Sequence, residues 1–217
     1  VSTTLIALSK IKDEEALTGI LDNISQIIHK GLSTRKTLEV SLLHFDEEFL
    51  DIYKKYIIKH AHDPEVLKIL LEVISFFSSK DLVAIAIEKT SHLDPEIRAK
   101  ALKILGNNAE YLDYNVIERL RDLSLDPVWL VRLRLANLLE KIDSVKVLEI
   151  LETLLFDPNW MVRRAAAKAL SRFEDLSLDI VIKALESSDR YAKECTCEAL
   201  NKSLYVYKLI TNLNSPD

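Results

Sequence analysis

Asp-Pro occurs four times in this chain at nearly even spacing, as Asp63-Pro64, Asp94-Pro95, Asp126-Pro127 and Asp157-Pro158, with intervals of 31, 32 and 31 residues. Ser188-Asp189 stands where the next copy is due. Aspartate can cap a helix N-terminus and proline is tolerated at the first helical position, so each pair is expected to start a helix. Downstream the same register recurs. Thr34-Arg35, Val66-Leu67, Ile97-Arg98, Val131-Arg132, Val162-Arg163 and Ala192-Lys193 align, and apolar residues follow three, six and seven positions on, for example Ala166, Ala169 and Leu170. Those offsets trace one stripe of a 3.6-residue helix.

A second helical pattern lies between consecutive copies, at 46–61, 80–92, 113–124, 143–156 and 176–187, so each repeat is a helix pair. A lone pair cannot bury its apolar face, whereas stacked pairs share a core. The expected fold is all-α, a right-handed α-α superhelix (solenoid) of about six pairs with partial repeats at its ends. The boundaries read as 1–12 (half), 13–45, 46–78, 79–109, 110–142, 143–173, 174–203 and 204–217 (half or cap) within a single array. The half-repeats suggest an array cut from, or attached to, something larger. Composition agrees with helices, since only three glycines stand among 217 residues and 48% are apolar.

The segments Asp94-Pro-Glu-Ile-Arg-Ala-Lys-Ala-Leu and Asp157-Pro-Asn-Trp-Met-Val-Arg-Arg-Ala-Ala-Ala-Lys-Ala-Leu resemble the second helix of HEAT repeats, with its Asp-Pro, Val-Arg and Ala-Leu. The copies containing Trp129 and Trp160 are similar to the phosphatase-scaffold variety. The resemblance implies a non-enzymatic scaffold, or a regulatory or assembly domain, that binds another macromolecule on a concave face lined by second helices. It also implies that the aligned arginines Arg35, Arg98, Arg132 and Arg163 bond the turn aspartate of their own or an adjacent repeat. That structural ladder is preferred to an anion-binding row, although Leu67 interrupts it. Likewise Trp129 and Trp160 are expected to pack the turn between paired helices rather than to stack on bases.

Formal charge is -5, from 29 Lys plus Arg against 34 Asp plus Glu, so nothing global steers the chain toward nucleic acid. The distribution is two-sided. Second helices (35–45, 64–78, 95–109, 127–142, 158–173 and 189–203) total +8, and first helices (13–30, 46–61, 80–92, 110–124, 143–155 and 174–187) total -11. The basic excess, including Lys36, Lys68 and Lys103, is densest around Arg134, Arg164, Lys168 and Arg172, and the candidate partner-binding residues are Lys103, Arg134, Arg164, Lys168 and Arg172. The expected partner is a protein or peptide, acidic or of mixed charge. The alternative is a nucleic-acid binder or a HEAT-like DNA glycosylase, which would need a more basic face. A chromophore-attachment role like that of some HEAT-like proteins has no specific residues behind it.

No catalytic set emerges. A phosphate-cradling loop is incompatible with glycine only at Gly19, Gly31 and Gly106, and no nucleophile elbow or zinc signature is present. No cofactor or metal is expected; His60-Ala-His62-Asp63 is the one cluster worth a metal thought. Cys195 and Cys197, two apart on a helix, point in different directions and read as unreactive thiols, consistent with a reducing, cytoplasmic setting. No apolar run of about 18 residues would span a membrane. Tyr111, Tyr114, Tyr205 and Tyr207 lie outside the repeated stripe.

Overall fold

The computed structural model describes residues 1–203. Tyr205, Tyr207 and the terminal half-repeat or cap expected at 204–217 lie outside them. Among the described residues every regular element is helical, and they form two compact units, Val1–Asn108 and a second that begins at Ala109.

In the first unit α1 (Ser2–Ile11), α3 (Arg35–Leu42), α5 (Pro64–Ile74) and α7 (Pro95–Asn107) form one row, each packed on the next. These are the second helices of the expected pairs. The first helices α2 (Glu14–His29), α4 (Leu50–Lys59) and α6 (Lys80–Lys89) cover them: α2 packs on α1 and α5, α4 on α5, and α6 on α7. With neighbours on several sides, α5 buries Val66, Leu67, Ile69, Leu70, Leu71, Val73 and Ile74, nearly its whole circumference. An all-round apolar helix is the expected consequence of that position.

In the second unit the row is α9 (Trp129–Leu139), α11 (Trp160–Leu170) and α13 (Arg190–Lys202). Its first helices are α8 (Tyr114–Leu120), α10 (Leu148–Leu155) and α12 (Leu178–Glu186), with α10 packed on α11 and α12 on α13. Central α11 buries Ala165, Ala166, Ala167 and Ala169, whose small side chains allow close approach of its neighbours. Each unit is therefore an all-α stack of helix pairs, the solenoid architecture that the period implies.

The starts of the second helices differ in one respect from the sequence expectation. Asp63 and Asp94 cap α5 and α7, which open on Pro64 and Pro95. Asp126 and Asp157, like Asp94, accept hydrogen bonds from the backbone N–H two residues on, here Val128 (2.9 Å) and Asn159 (2.7 Å), but stand two residues farther ahead of their helices. They hold a turn, and α9 and α11 begin only at Trp129 and Trp160. At the other kind of terminus, Gly31 at φ 62° ends α2: its N–H reaches the Ile28 carbonyl and the Leu32 N–H reaches that of Ile27, the paired bonds of a left-handed helix stop.

Candidate functional site

The aligned arginines define how neighbouring repeats are held, and Arg132 shows the full arrangement. Its Nη1 donates to the carbonyl of Asp126 in its own turn (2.6 Å), while Nε (2.5 Å) and Nη2 (2.9 Å) fork onto both carboxylate oxygens of Asp157 in the next turn. Both side chains are buried, and the Asp157 carboxylate holds the guanidinium pKa above its ordinary value. A planar fork on a buried carboxylate fixes distance and direction together.

The other ladder positions are variations on it. Arg98 donates to the carbonyls of His92 (2.9 Å) and Leu93 (3.0 Å) in its own turn. Arg35 departs from the expected pattern by pairing with Glu39 and Glu96 instead of a turn aspartate. Where Leu67 interrupts the ladder, the next residue supplies the cation: Lys68 is buried and places Nζ 2.8 Å from Asp94 and 2.8 Å from Glu65. Lys68 is therefore not part of a solvated basic face.

Arg163 makes only half of the clasp. Its Nη1 donates to the carbonyls of Asp157 (2.6 Å) and Pro158 (3.2 Å), and its guanidinium lies 5.1 Å from the Tyr191 ring centroid. The residue is 7% exposed, yet Nε has no hydrogen-bond partner among the described residues. Ser187 stands where the register would place a counterpart of Asp157, six residues before the aligned Lys193, and its Oγ accepts from the Asp189 N–H (3.3 Å) as Asp157 accepts from Asn159. Ser187→Asp is expected to complete the fork and add about 1 kcal/mol, a rise in melting temperature of about 2–4 °C. In an Arg163→Met background the same substitution should give no rise; an equal rise there would show that the carboxylate does not act through Arg163.

The candidate partner-binding residues fall into different situations. Lys103, in the first unit, places Nζ 2.5 Å from Glu72 and 4.3 Å from the Phe76 ring centroid, so its charge is already engaged. Lys100 shares Glu72, and although burial alone would raise it, the two ammoniums bring the Glu72 carboxyl down to about 2. The remaining four are in the second unit. Arg164 pairs with Glu198 (2.8 Å) and Lys168 with Glu140 (2.8 Å), but both cations are more than half exposed. Half-buried Arg134 and exposed Arg172 form no ion pair among the described residues.

Arg164 and Lys168 share a hollow of about 220 Å³ between α9 and α11, whose apolar lining is Leu133, Trp160, Met161 and Ala165. Trp160 is 56% exposed, so it opens onto this hollow rather than packing a turn; Trp129 is also exposed. Trp160 is the first residue of α11, ahead of the alanine-rich core stripe at Ala165, Ala166 and Ala169. Charge summation over helices had no means of finding this apolar floor. The signal in the sequence was the spacing of Trp160, Arg164 and Lys168 at i, i+4 and i+8, one face of a helix.

Elsewhere, no group of three or more His, Cys, Asp or Glu among the described residues could hold a metal. His60 stacks on Tyr56 at 6.1 Å, and burial depresses its pKa. Asp63 accepts from Ser25 (2.9 Å) and lies 2.9 Å from His29 Nε2, an arrangement that places one carboxylate between the other two groups and leaves no base on the hydroxyl. The Cys195 thiol pKa is pushed up by burial, with Arg163 opposing, which disfavours a reactive thiolate. No described helix is long and apolar enough to cross a membrane.

Comparison with known proteins follows the same lines. A family model described as HEAT repeats matches residues 115–201. The crystal structure of an engineered protein superposes with a TM-score of 0.56, covering 91% of this chain and 95% of that one at 17% identity, a likeness of fold alone. No curated protein matches the chain.

Proposed function

We propose that this chain, a HEAT-like repeat protein, is a non-enzymatic protein-interaction scaffold, serving regulation or assembly, whose α9–α11 face takes an acidic protein segment. HEAT repeats are used for such scaffolding, and the finer assignment rests on one observation. The hollow floored by Leu133, Trp160 and Met161 is rimmed by the exposed cations Arg164 and Lys168. An exposed tryptophan beside arginine is the composition of an interface centre, where an apolar anchor is buried and flanking charges orient it. Arg134 and Arg172 add positive charge with no carboxylate of their own among the described residues. The existing partners of Arg164 and Lys168 sit at the solvent edge, where exchanging one carboxylate for another costs little.

The test is fluorescence anisotropy with a labelled acidic peptide carrying one leucine between glutamates. Arg164→Glu with Lys168→Glu is expected to weaken binding by about tenfold or more, the consequence of placing like charges opposite the peptide. Helicity and melting temperature should hardly change, because exposed pairs contribute about 0–1 kcal/mol each. Undiminished binding by the double variant would remove the assignment. Tighter binding of duplex DNA than of the peptide at low salt would favour a nucleic-acid partner instead.

A further inference from the structure

The first helices of the second unit carry a separate groove of opposite charge. It lies between α10 and α12, has a volume of about 890 Å³, and is lined by Glu152, Thr153, Phe156, Asp179, Ile182, Lys183, Glu186 and Ser187. Phe156 and Ile182 make its apolar floor, and Ile182 is exposed. Lys183 reaches from α12 to pair with Glu152 on α10, so those two charges answer each other. Asp179 and Glu186 form no ion pair among the described residues. Many other carboxylates in this unit do have a basic partner, Asp157 with Arg132, Glu140 with Lys168, Glu149 with Arg121 and Glu198 with Lys202.

The spacing specifies an occupant. Asp179, Ile182, Lys183 and Glu186 are at i, i+3, i+4 and i+7, a single stripe of α12, which puts the two unclaimed carboxylates about 10 Å apart on either side of Ile182. We infer that the α10–α12 groove docks a basic amphipathic helix that seats apolar side chains on Phe156 and Ile182 and places a Lys or Arg against each of Asp179 and Glu186. A helix with cations at i and i+7 and leucines at i+3 and i+4 has the complementary stripe. Charge complementarity selects this class: net negative charge over an apolar floor disfavours acidic segments and nucleic acid alike. The site is independent of the α9–α11 hollow, because it uses the other helices of the pairs.

The experiment uses the whole chain and an amidated 16-residue helical peptide with that Lys and Leu pattern, followed by anisotropy. Saturable binding is expected, weakened about tenfold by Asp179→Lys with Glu186→Lys and by replacing the peptide's leucines with serine. Arg164→Glu with Lys168→Glu should leave it unchanged, which separates this site from the acidic-segment surface. Failure to bind the peptide, or equal binding by the Asp179→Lys, Glu186→Lys variant at unchanged helicity, overturns the inference. So does concentration-dependent dimerisation that Ile182→Asp abolishes, which would assign the groove to a second copy of the chain.

Discussion

Arg132→Ala should be among the most damaging single substitutions in the second unit, with a loss of about 3–5 kcal/mol. The guanidinium closes one turn and grips the next through three hydrogen bonds. Its removal leaves the Asp157 carboxylate, 5% exposed, charged and without its counterion. Asp157→Ala alone should cost a similar amount for the mirror-image reason. The informative variant is the pair Arg132→Met with Asp157→Leu. Desolvation no longer has to be offset when both charges are absent, so the double variant should recover most of the loss. Chemical denaturation of the parent, the Arg132→Met and Asp157→Leu single variants and the double variant gives the coupling energy directly. Additive losses would mean that the clasp does not act as a unit.

In the first unit the largest effect is expected from Glu72 as pH falls. Its carboxylate receives Lys100 and Lys103, both largely buried, and its pKa of about 2 lies below the ordinary 4.5. Because the folded state binds the proton less readily than the unfolded state, the stabilisation is complete above about pH 4.5 and is lost as pH falls toward 2. After allowance for solvent screening it is on the order of 2 kcal/mol. Glu72→Gln should therefore lower stability at pH 7 by about that amount and flatten the decline between pH 5 and 3. Thermal melts across that range check it. A variant that keeps the parent's pH slope would place the acid sensitivity elsewhere, for instance at Asp94 and Glu96, whose pKa values are lowered by Lys68 and Arg35.

What could be read from the residues alone was whatever depends on spacing along the chain. A period of 31 or 32 with apolar residues at fixed offsets is a statement about helix pairs, and the pairs follow. The aspartates at 63 and 94 cap helices for the same local reason. Asp126 and Asp157 stand six residues before the aligned arginine, against four for Asp63 and Asp94, so they engage the turn ahead of the helix, and Asp157 also receives a guanidinium from one repeat away. Charge was harder to read. Lys68, Lys100 and Lys103 count fully toward a basic row of second helices, yet Asp94 and Glu72, some 26 to 31 residues distant in sequence, claim them. Such pairings depend on the separation between packed helices, which no periodicity contains. The same holds for the exposed Trp160: an apolar residue next to a core stripe looks like core until the helix start is known.

The binding role of the α9–α11 face is tested most directly by Trp160 itself, since its ring forms part of the floor and only two tryptophans occur in the chain. In a Trp129→Phe variant all tryptophan emission reports on that hollow. Titration with the acidic, leucine-anchored peptide is expected to shift the emission to the blue and to saturate at the concentration given by anisotropy, with both signals weakened together by Arg164→Glu and Lys168→Glu. Peptide binding by anisotropy with no change in Trp160 emission would contradict the assignment of this face.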